Sequence, residues 1–194
     1  MNYFTSDIHF SDEATFINED RPFKNVKEYD EYIINLWNKT MTKDDTLFVV
    51  GDMLDCDGPN FTSWKDSLKY IKKIKASIVL IMGNNEDRIV DNFFGGDYEK
   101  FKNHLLKNGI KEVHKDLTME MRGKNFYLIH NPVDYKKGFI NLVGHSHRSK
   151  GLWYSFGLSV SCDLNHFRPF SEDNIFFQLK RKEENFSNPV FKLI

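Results

Sequence analysis

Thr46-Leu47-Phe48-Val49-Val50-Gly51-Asp52 and Ile78-Val79-Leu80-Ile81-Met82-Gly83-Asn84 decide the fold. Each is a nearly continuous apolar run of β-forming residues that ends on a glycine followed by a polar side chain. Runs of this kind suit strands buried on both faces of a layered α/β domain, not the alternating strands of a half-exposed sheet. Working outward, similar runs occur at Tyr3 to Ser6, Phe126 to His130 and Asn141 to Gly144.

The segments between them have helical spacing. Val26, Tyr29, Ile33, Leu36 and Trp37 recur on one face after Asn25, with Glu28 three residues beyond that cap, so an amphipathic helix is expected over Asn25 to Lys39. Trp64, Leu68, Ile71 and Ile74 predict another from Ser63 to about Ile74, and Tyr98 to Lys107, stopped by Gly109, a third. Further on, Leu117, Met119 and Met121 alternate with polar residues, Arg122-Gly123-Lys124 makes a turn, and Phe126, Leu128 and His130 resume the alternation. This predicts a hairpin. Tyr154 to Ser161, Ile175 to Lys180 and Val190 to Leu193 read as further strands, with Lys180 to Glu184 as a solvated turn between the last two. A two-sheet α/β sandwich follows. With no repeat or Pro/Gly/Ser linker to divide it, residues 1–194 are expected to form one domain.

Composition narrows the function. With 40% apolar and 28% charged residues and a formal net charge of −1, the chain lacks the broad cationic field of a protein that grips a long nucleic-acid backbone. Small phosphorylated substrates, nucleotides or nucleic-acid ends fit better. The two cysteines, Cys56 and Cys162, form neither a CxxC pair nor a disulfide framework, and a reducing cytosol is the simpler reading. The N-terminus has neither the basic start nor the apolar run of a signal peptide, and no run reaches membrane-spanning length, so a cytoplasmic, membrane-free protein is expected. Composition leaves the oligomeric state open.

The chemistry sits in five small motifs, each following or ending a strand: Asp7-Ile8-His9, Gly51-Asp52, Gly83-Asn84-Asn85-Glu86, His130, and Gly144-His145-Ser146-His147. Taken singly they are weak: Asp-x-His arises by chance, Gly-Asp is usually a turn, and a lone histidine ending an apolar strand is usually a hydrogen-bonded core residue. Taken together they hold four of the seven histidines, and carboxylate, imidazole and carboxamide groups at strand ends converge on one sheet edge. In an extended segment, residues two apart point to the same side, so Asp7 with His9 and His145 with His147 are each expected to serve a shared metal site.

In this order the motifs resemble the calcineurin-like metallophosphoesterase superfamily, with its blocks DxH, GDxxD, GNH(D/E), H and GHxH. Here they read Asp7-x-His9, Gly51-Asp52-x-x-Asp55, Gly83-Asn84-Asn85-Glu86, His130 and Gly144-His145-x-His147. Asp20-Arg21-Pro22-Phe23 and Asp163 to Pro169 also look like small bacterial and phage members. The resemblance implies a four-layer α-β-β-α sandwich of two mixed sheets flanked by helices. It implies one metal held by Asp7, His9, Asp52 and His147 and another held by Asp52, Asn84, His130 and His145, with Asp52 as the bridge. It further implies a phosphodiesterase or phosphomonoesterase (phosphatase) in which a metal-bound hydroxide attacks the phosphate. The mixed ligands suit manganese first, with zinc, iron or nickel as alternatives.

One position departs from the pattern. Asn85 stands where the family usually has a histidine, and Asp55 where some branches carry a carboxylate that orients it. An amide donates a hydrogen bond to a phosphoryl oxygen but delivers no proton near neutral pH. Asn85 is thus expected either to stabilise charge or to satisfy Asp55 or a backbone group. Loss of the histidine also raises an alternative, a metal-binding scaffold with little catalysis. Arg88 and Arg148 follow metal blocks and are candidate phosphate clamps.

Overall fold

A computed structural model describes residues 1–56 and 63–186. The first sheet has the order β10-β1-β2-β3-β4: β1 Asn2–Thr5, β2 Thr46–Val50, β3 Ser77–Ile81 and β4 Glu112–His114 run parallel, and β10 Phe170–Ser171 pairs antiparallel with β1. The second has the order β5-β6-β7-β9-β8: β5 Leu117–Met121, β6 Lys124–Leu128, β7 Ile140–Val143, β8 Trp153–Tyr154 and β9 Gly157–Ser159. Its β6, β7 and β9 are parallel to one another, and antiparallel strands close both edges. Among the described residues six α-helices accompany the sheets: α1 Glu13–Asn18, α2 Val26–Thr40, α3 Ser63–Ile71, α4 Asn84–Phe94, α5 Tyr98–Lys107 and α6 Glu172–Phe186. This is an α/β fold of two mixed sheets, as the apolar runs predict.

The period of two in the strands divides the interior into two cores. Leu47, Val49, Ile78, Leu80 and Val113 face one way, onto Ile33, Trp37, Leu68, Ile89, Phe101 and Leu105 of α2 to α5. Phe48, Val50, Val79 and Ile81 face the other way, onto Phe126, Leu128, Leu142 and Leu158 of the second sheet. The first sheet is thus buried on both faces, which explains the unbroken apolar runs. No helix among the described residues is long and apolar enough to cross a membrane.

Local signals act as the sequence indicates. Asn25 caps α2 by accepting from the Glu28 N–H at 2.9 Å. The β5–β6 hairpin turns through Arg122 and Gly123, both at positive φ (49° and 73°), the backbone a tight two-residue hairpin turn requires. Tyr154 to Ser161 divides into the short β8 and β9 strands around a turn. Two expectations fail. Ile175 to Lys180 is not a strand but part of α6, because Ile175 and Leu179, four apart, both enter the inter-sheet core. Lys180 to Glu184 therefore belongs to the same helix, where Lys180 pairs with Glu184 at 3.9 Å. The missed start signal is Ser171, whose hydroxyl accepts from the Asn174 N–H at 3.1 Å. Helices α1 and α4 and strand β4 also have no counterpart in the sequence reading, and Val190 to Leu193 lies outside the described residues.

Asp30, on the core side of α2, is buried against Ser11, whose N–H donates to it at 3.1 Å. Burial pushes its carboxyl from 3.8 up to about 7, although the Ser11 hydrogen bonds pull it down. A raised carboxyl stabilises the fold fully below the unfolded value, roughly 4, and loses that contribution as pH rises through the folded value. Asp30→Asn keeps an acceptor for Ser11 and removes the charge. Urea unfolding should find the variant more stable than wild type at about pH 8, by up to roughly 4 kcal/mol, and little changed at about pH 4. An equal gain at both pH values would show that ionisation of Asp30 is not the cause.

Candidate metal centre

Parallel strands aim their C-terminal ends at one rim. There β1 delivers Asp7 and His9, β2 Asp52, β3 Asn84, β6 His130 and β7 His145 and His147. The side chains form two adjoining groups, each with donor atoms within 4.8 Å of one another: Asp7, His9 and His147, and Asp52, His130 and His145. Asp52 lies between them, its Oδ2 3.7 Å from His9 Nε2 and 3.3 Å from His130 Nε2. Asn84 completes the second group, with its Oδ1 3.1 Å from His130 Nε2 and 2.9 Å from His145 Nδ1.

Convergence is not achieved by strand alternation, as expected from the x-separated pairs. Asp7, His9, Asp52, His145 and His147 all lie just past strand ends with positive φ, between 44° and 70°. Such backbone is uncommon without glycine and costs energy, so a cluster of it marks a site whose surroundings impose it. The imposing contacts are visible. The Asp7 N–H donates to Gly51 O at 3.1 Å, the His9 N–H to Asp52 O at 3.0 Å, and the His145 N–H to Asp7 Oδ1 at 2.8 Å. A Cβ on Gly83 would overlap both the carboxylate and the backbone nitrogen of Asp52, and one on Gly51 would overlap the His130 ring.

A second layer orients these side chains. His9 Nδ1 faces Asp12 Oδ2 at 3.1 Å, leaving Nε2 buried, without a hydrogen-bond partner and turned toward Asp52. His130 Nδ1 meets Val50 O at 2.8 Å, and His147 Nδ1 meets Asp163 Oδ2 at 2.8 Å. Carboxylate or carbonyl behind imidazole is the arrangement that fixes a ligating histidine's tautomer and ring. Arg21, buried and missed as a functional residue by sequence reasoning, ties this layer together. It donates to Asp7 O and Ile8 O at 2.7 Å each and pairs with Asp163 at 3.1 and 3.2 Å. Burial opposes ionisation of Asp12 and Asp163, yet bonds from His9 and Thr15 to the one, and from His147 and Arg21 to the other, hold both below the usual carboxylate range.

Glu86 is the other support, completely buried at the start of α4. Its Oε1 accepts from the Met53 and Leu54 N–H groups at 3.0 Å each, and its Oε2 from Asp52 and Gly83 at 2.9 Å each. Burial and the adjacent Asp52 charge push its carboxyl up, against the pull of these donors. Asn85 is buried beside it. Its Nδ2 donates to Leu54 O at 3.1 Å and lies 3.1 Å from His9 Nδ1, while its Oδ1 accepts from Asn84 Nδ2 at 3.3 Å. The bond to the Asn84 amide nitrogen leaves Asn84 Oδ1 directed at His130 and His145. The bond to Leu54 O is a contact with a backbone group, one of the roles weighed from the sequence. Asp55 is buried. Arg88 Nη1 is 3.9 Å from Cys56 Sγ, and the half-exposed Arg148 is 3.9 Å from Glu19.

These donors fit divalent transition metals. Imidazole and carboxylate predominate, and a buried imidazole nitrogen without a partner faces the shared carboxylate. With protons alone at the centre, Asp52 and His130 form a buried ion pair. Burial opposes both charges, but mutual attraction holds Asp52 well below its usual range and His130 up at about 10.

A family model described as calcineurin-like phosphoesterase matches residues 3–191. Uncharacterized protein MJ1445 of Methanocaldococcus jannaschii is 27% identical over 182 residues, 89% of this chain and 88% of its own. The solved structure of the protein of unknown function AQ665 from Aquifex aeolicus superimposes with a TM-score of 0.63 at 21% identity, covering 92% of this chain and 98% of that one. That likeness is one of fold.

Two outcomes follow from the geometry. In Glu86→Gln, whichever way the amide turns, its NH2 faces two N–H donors, and leaving them buried without an acceptor should cost about 2–5 kcal/mol in denaturant unfolding. A loss below about 0.5 kcal/mol would mean that the four bonds do not hold the loops. In the metal-free protein the raised His130 pKa contributes stability that is complete below the ordinary histidine value of roughly 6.5 and is lost as pH rises through about 10. Loading metal near neutral pH must displace that proton. Titration of Mn or Zn into weakly buffered protein should release about one proton per chain from this residue, and His130→Asn should abolish that release.

Proposed function

The chain belongs to the calcineurin-like phosphoesterase family, and from that premise we propose that it is a dinuclear, metal-dependent hydrolase of phosphate esters. The observation that carries the reading is the position of Asp52, one carboxylate oxygen facing His9 of one group and His130 of the other. A carboxylate so placed suits a bridge between two cations. In this proposal Asp7, His9, Asp52 and His147 hold one metal and Asp52, Asn84, His130 and His145 the other. Manganese is the first choice by donor type, with zinc, iron or nickel as alternatives.

Two such cations supply Lewis-acid polarisation of phosphoryl oxygens and activation of water. The chain's own residues do the rest. Asp52 keeps its Oδ1 on the Asn85 N–H at 3.0 Å, which leaves Oδ2 for the shared position. Asn85, through Leu54 O and Asn84, acts as a positioning residue. Neither it nor any other amide gives a proton to a departing alkoxide. Arg88 and Arg148 are the proposed phosphate clamps, and the half-exposed Arg148 directly follows His147. The compartment we propose is the cytoplasm, which two buried free cysteines suit, and the substrate a small phosphorylated molecule or nucleotide rather than a long nucleic acid. The buried, backbone-bonded Asn85 favours one second reading, a metal-binding scaffold with little turnover.

Two measurements separate these. Metal-loaded protein should contain two metals by elemental analysis and hydrolyse substituted phenyl phosphates, with rates that fall steeply as the phenol becomes less acidic, because the amide of Asn85 gives no proton to the departing group. Asp52→Asn should lose at least one metal and lower turnover by roughly a hundredfold or more. Two bound metals with no turnover of any mono- or diester would instead support the scaffold.

A further inference from the structure

Next to the second ligand group, and sharing His145 with it, is a cavity of about 670 Å³. His145, Ser146 and Asn131 form its side toward the centre, Lys150 adds a cation, and the far wall is Val133, Tyr135, Tyr154 and Phe156. Its size falls within the roughly 300–1,000 Å³ of small-molecule pockets. Tyr135 and Val133 are among the most exposed apolar residues of the described chain, at 48% and 77%, an unusual place for such side chains beside a polar centre.

The wall is built, not incidental. Tyr135 and Phe156 stack with ring centroids 4.4 Å apart and planes 7° from parallel, and Tyr154 lies 5.1 Å from Phe156. Their two loops are clamped together by one buried side chain, Asn141 of β7. Its Oδ1 accepts from the Lys136 N–H at 2.7 Å, and its Nδ2 lies 3.1, 2.9 and 3.2 Å from the carbonyls of Lys136, Phe139 and Phe156. A Cβ at Gly157 would run into the backbone of Asn141, so the second loop closes directly onto that strand. The aromatic pair is thereby held in place before any ligand arrives, which removes part of the ordering cost of binding.

We propose that this wall is a stacking platform for the ring of a nucleoside phosphate whose phosphate lies at the metal centre. The proposal rests on the phosphoesterase reading of that centre and names its substrate class. The argument is one of continuity and complementarity: His145 belongs both to the ligand set and to the cavity wall, so a group attached to a phosphate there has the aromatic wall within the same cavity. A flat ring stacks on a flat exposed ring whatever its sequence identity, and Lys150 balances phosphate charge. A sugar phosphate without a base leaves the platform in water.

The test uses metal-loaded protein and substrates matched in leaving group. Adenosine 5′-monophosphate is compared with ribose 5-phosphate, and the methyl diester of each with the other. In the pair that is turned over, kcat/KM should favour the adenosine compound by at least about fivefold, the low end of one base stacked on one aromatic residue. Tyr135→Ala should bring that ratio close to one and Tyr135→Phe should keep it, since the ring and not the hydroxyl does the work. Independently of turnover, adenosine alone should shift the ring resonances of Tyr135 and Phe156, and not in Tyr135→Ala. A ratio near one in wild type, or one that survives Tyr135→Ala in a folded, metal-loaded protein, overturns the platform. If neither these esters nor the substituted phenyl phosphates are hydrolysed, the phosphoesterase reading fails; if only the phenyl phosphates are, it stands, and in both cases the adenosine titration alone decides the platform: saturable shifts support it and their absence overturns it.

Discussion

The carboxylate of Glu86 is removed from water altogether and given four backbone N–H groups, two on each oxygen. Three of those donors belong to the loop after β2 and one to the loop after β3, so a single side chain joins two adjacent strand ends. The N–H groups of Asp52, Met53 and Leu54 lie past the end of β2, and buried donors must find acceptors. Glu86 supplies them, and Asp52 is thereby set in the conformation the site needs. Asn84 and Asn85, on the same first turn of α4, are placed by the same contact.

Arg21 does the equivalent work on the opposite side of the centre. Its guanidinium binds the carbonyls of Asp7 and Ile8 and the carboxylate of Asp163, so it braces the Asp7–His9 turn and, through Asp163, the ring of His147. Removing either partner would leave an uncompensated buried charge, which is far more costly than losing an exposed ion pair. Both supports are thus high in desolvation cost and rigid in consequence. Strained backbone at five of the clustered positions persists only because contacts such as these over-determine it.

The centre is assembled from both sheets. The first sheet contributes Asp7, His9, Asp52 and Asn84, and the second contributes His130, His145 and His147. Packing of Phe48, Val50, Val79 and Ile81 against Phe126, Leu128 and Leu142 therefore sets the distance between the two halves of the candidate centre. A core that is close-packed transmits small volume changes to such a site. The same second sheet, through Asn141, holds the aromatic wall beside His145, so ligand geometry and the shape of the adjoining cavity share one scaffold.

The apolar runs at Thr46 to Val50 and Ile78 to Met82 determined the α/β class by themselves, because a strand buried on both faces has no polar side to show. The order of the motifs, and the caps at Asn25 and the turn at Arg122-Gly123, were legible for the same reason: each is a local requirement met by a residue type at a fixed offset. α6 was not legible, since Ile175 and Leu179 suit a strand or a helix until their common target is known. Nor were the roles of Arg21, Glu86 and Asn141, whose partners are distant in sequence or unremarkable backbone groups. The bearing of Asn85 was equally hidden. Its residue type removes a proton donor, but only the tertiary structure turns its amide onto Leu54 and Asn84, because hydrogen-bond partners are chosen by position in space and not by spacing along the chain.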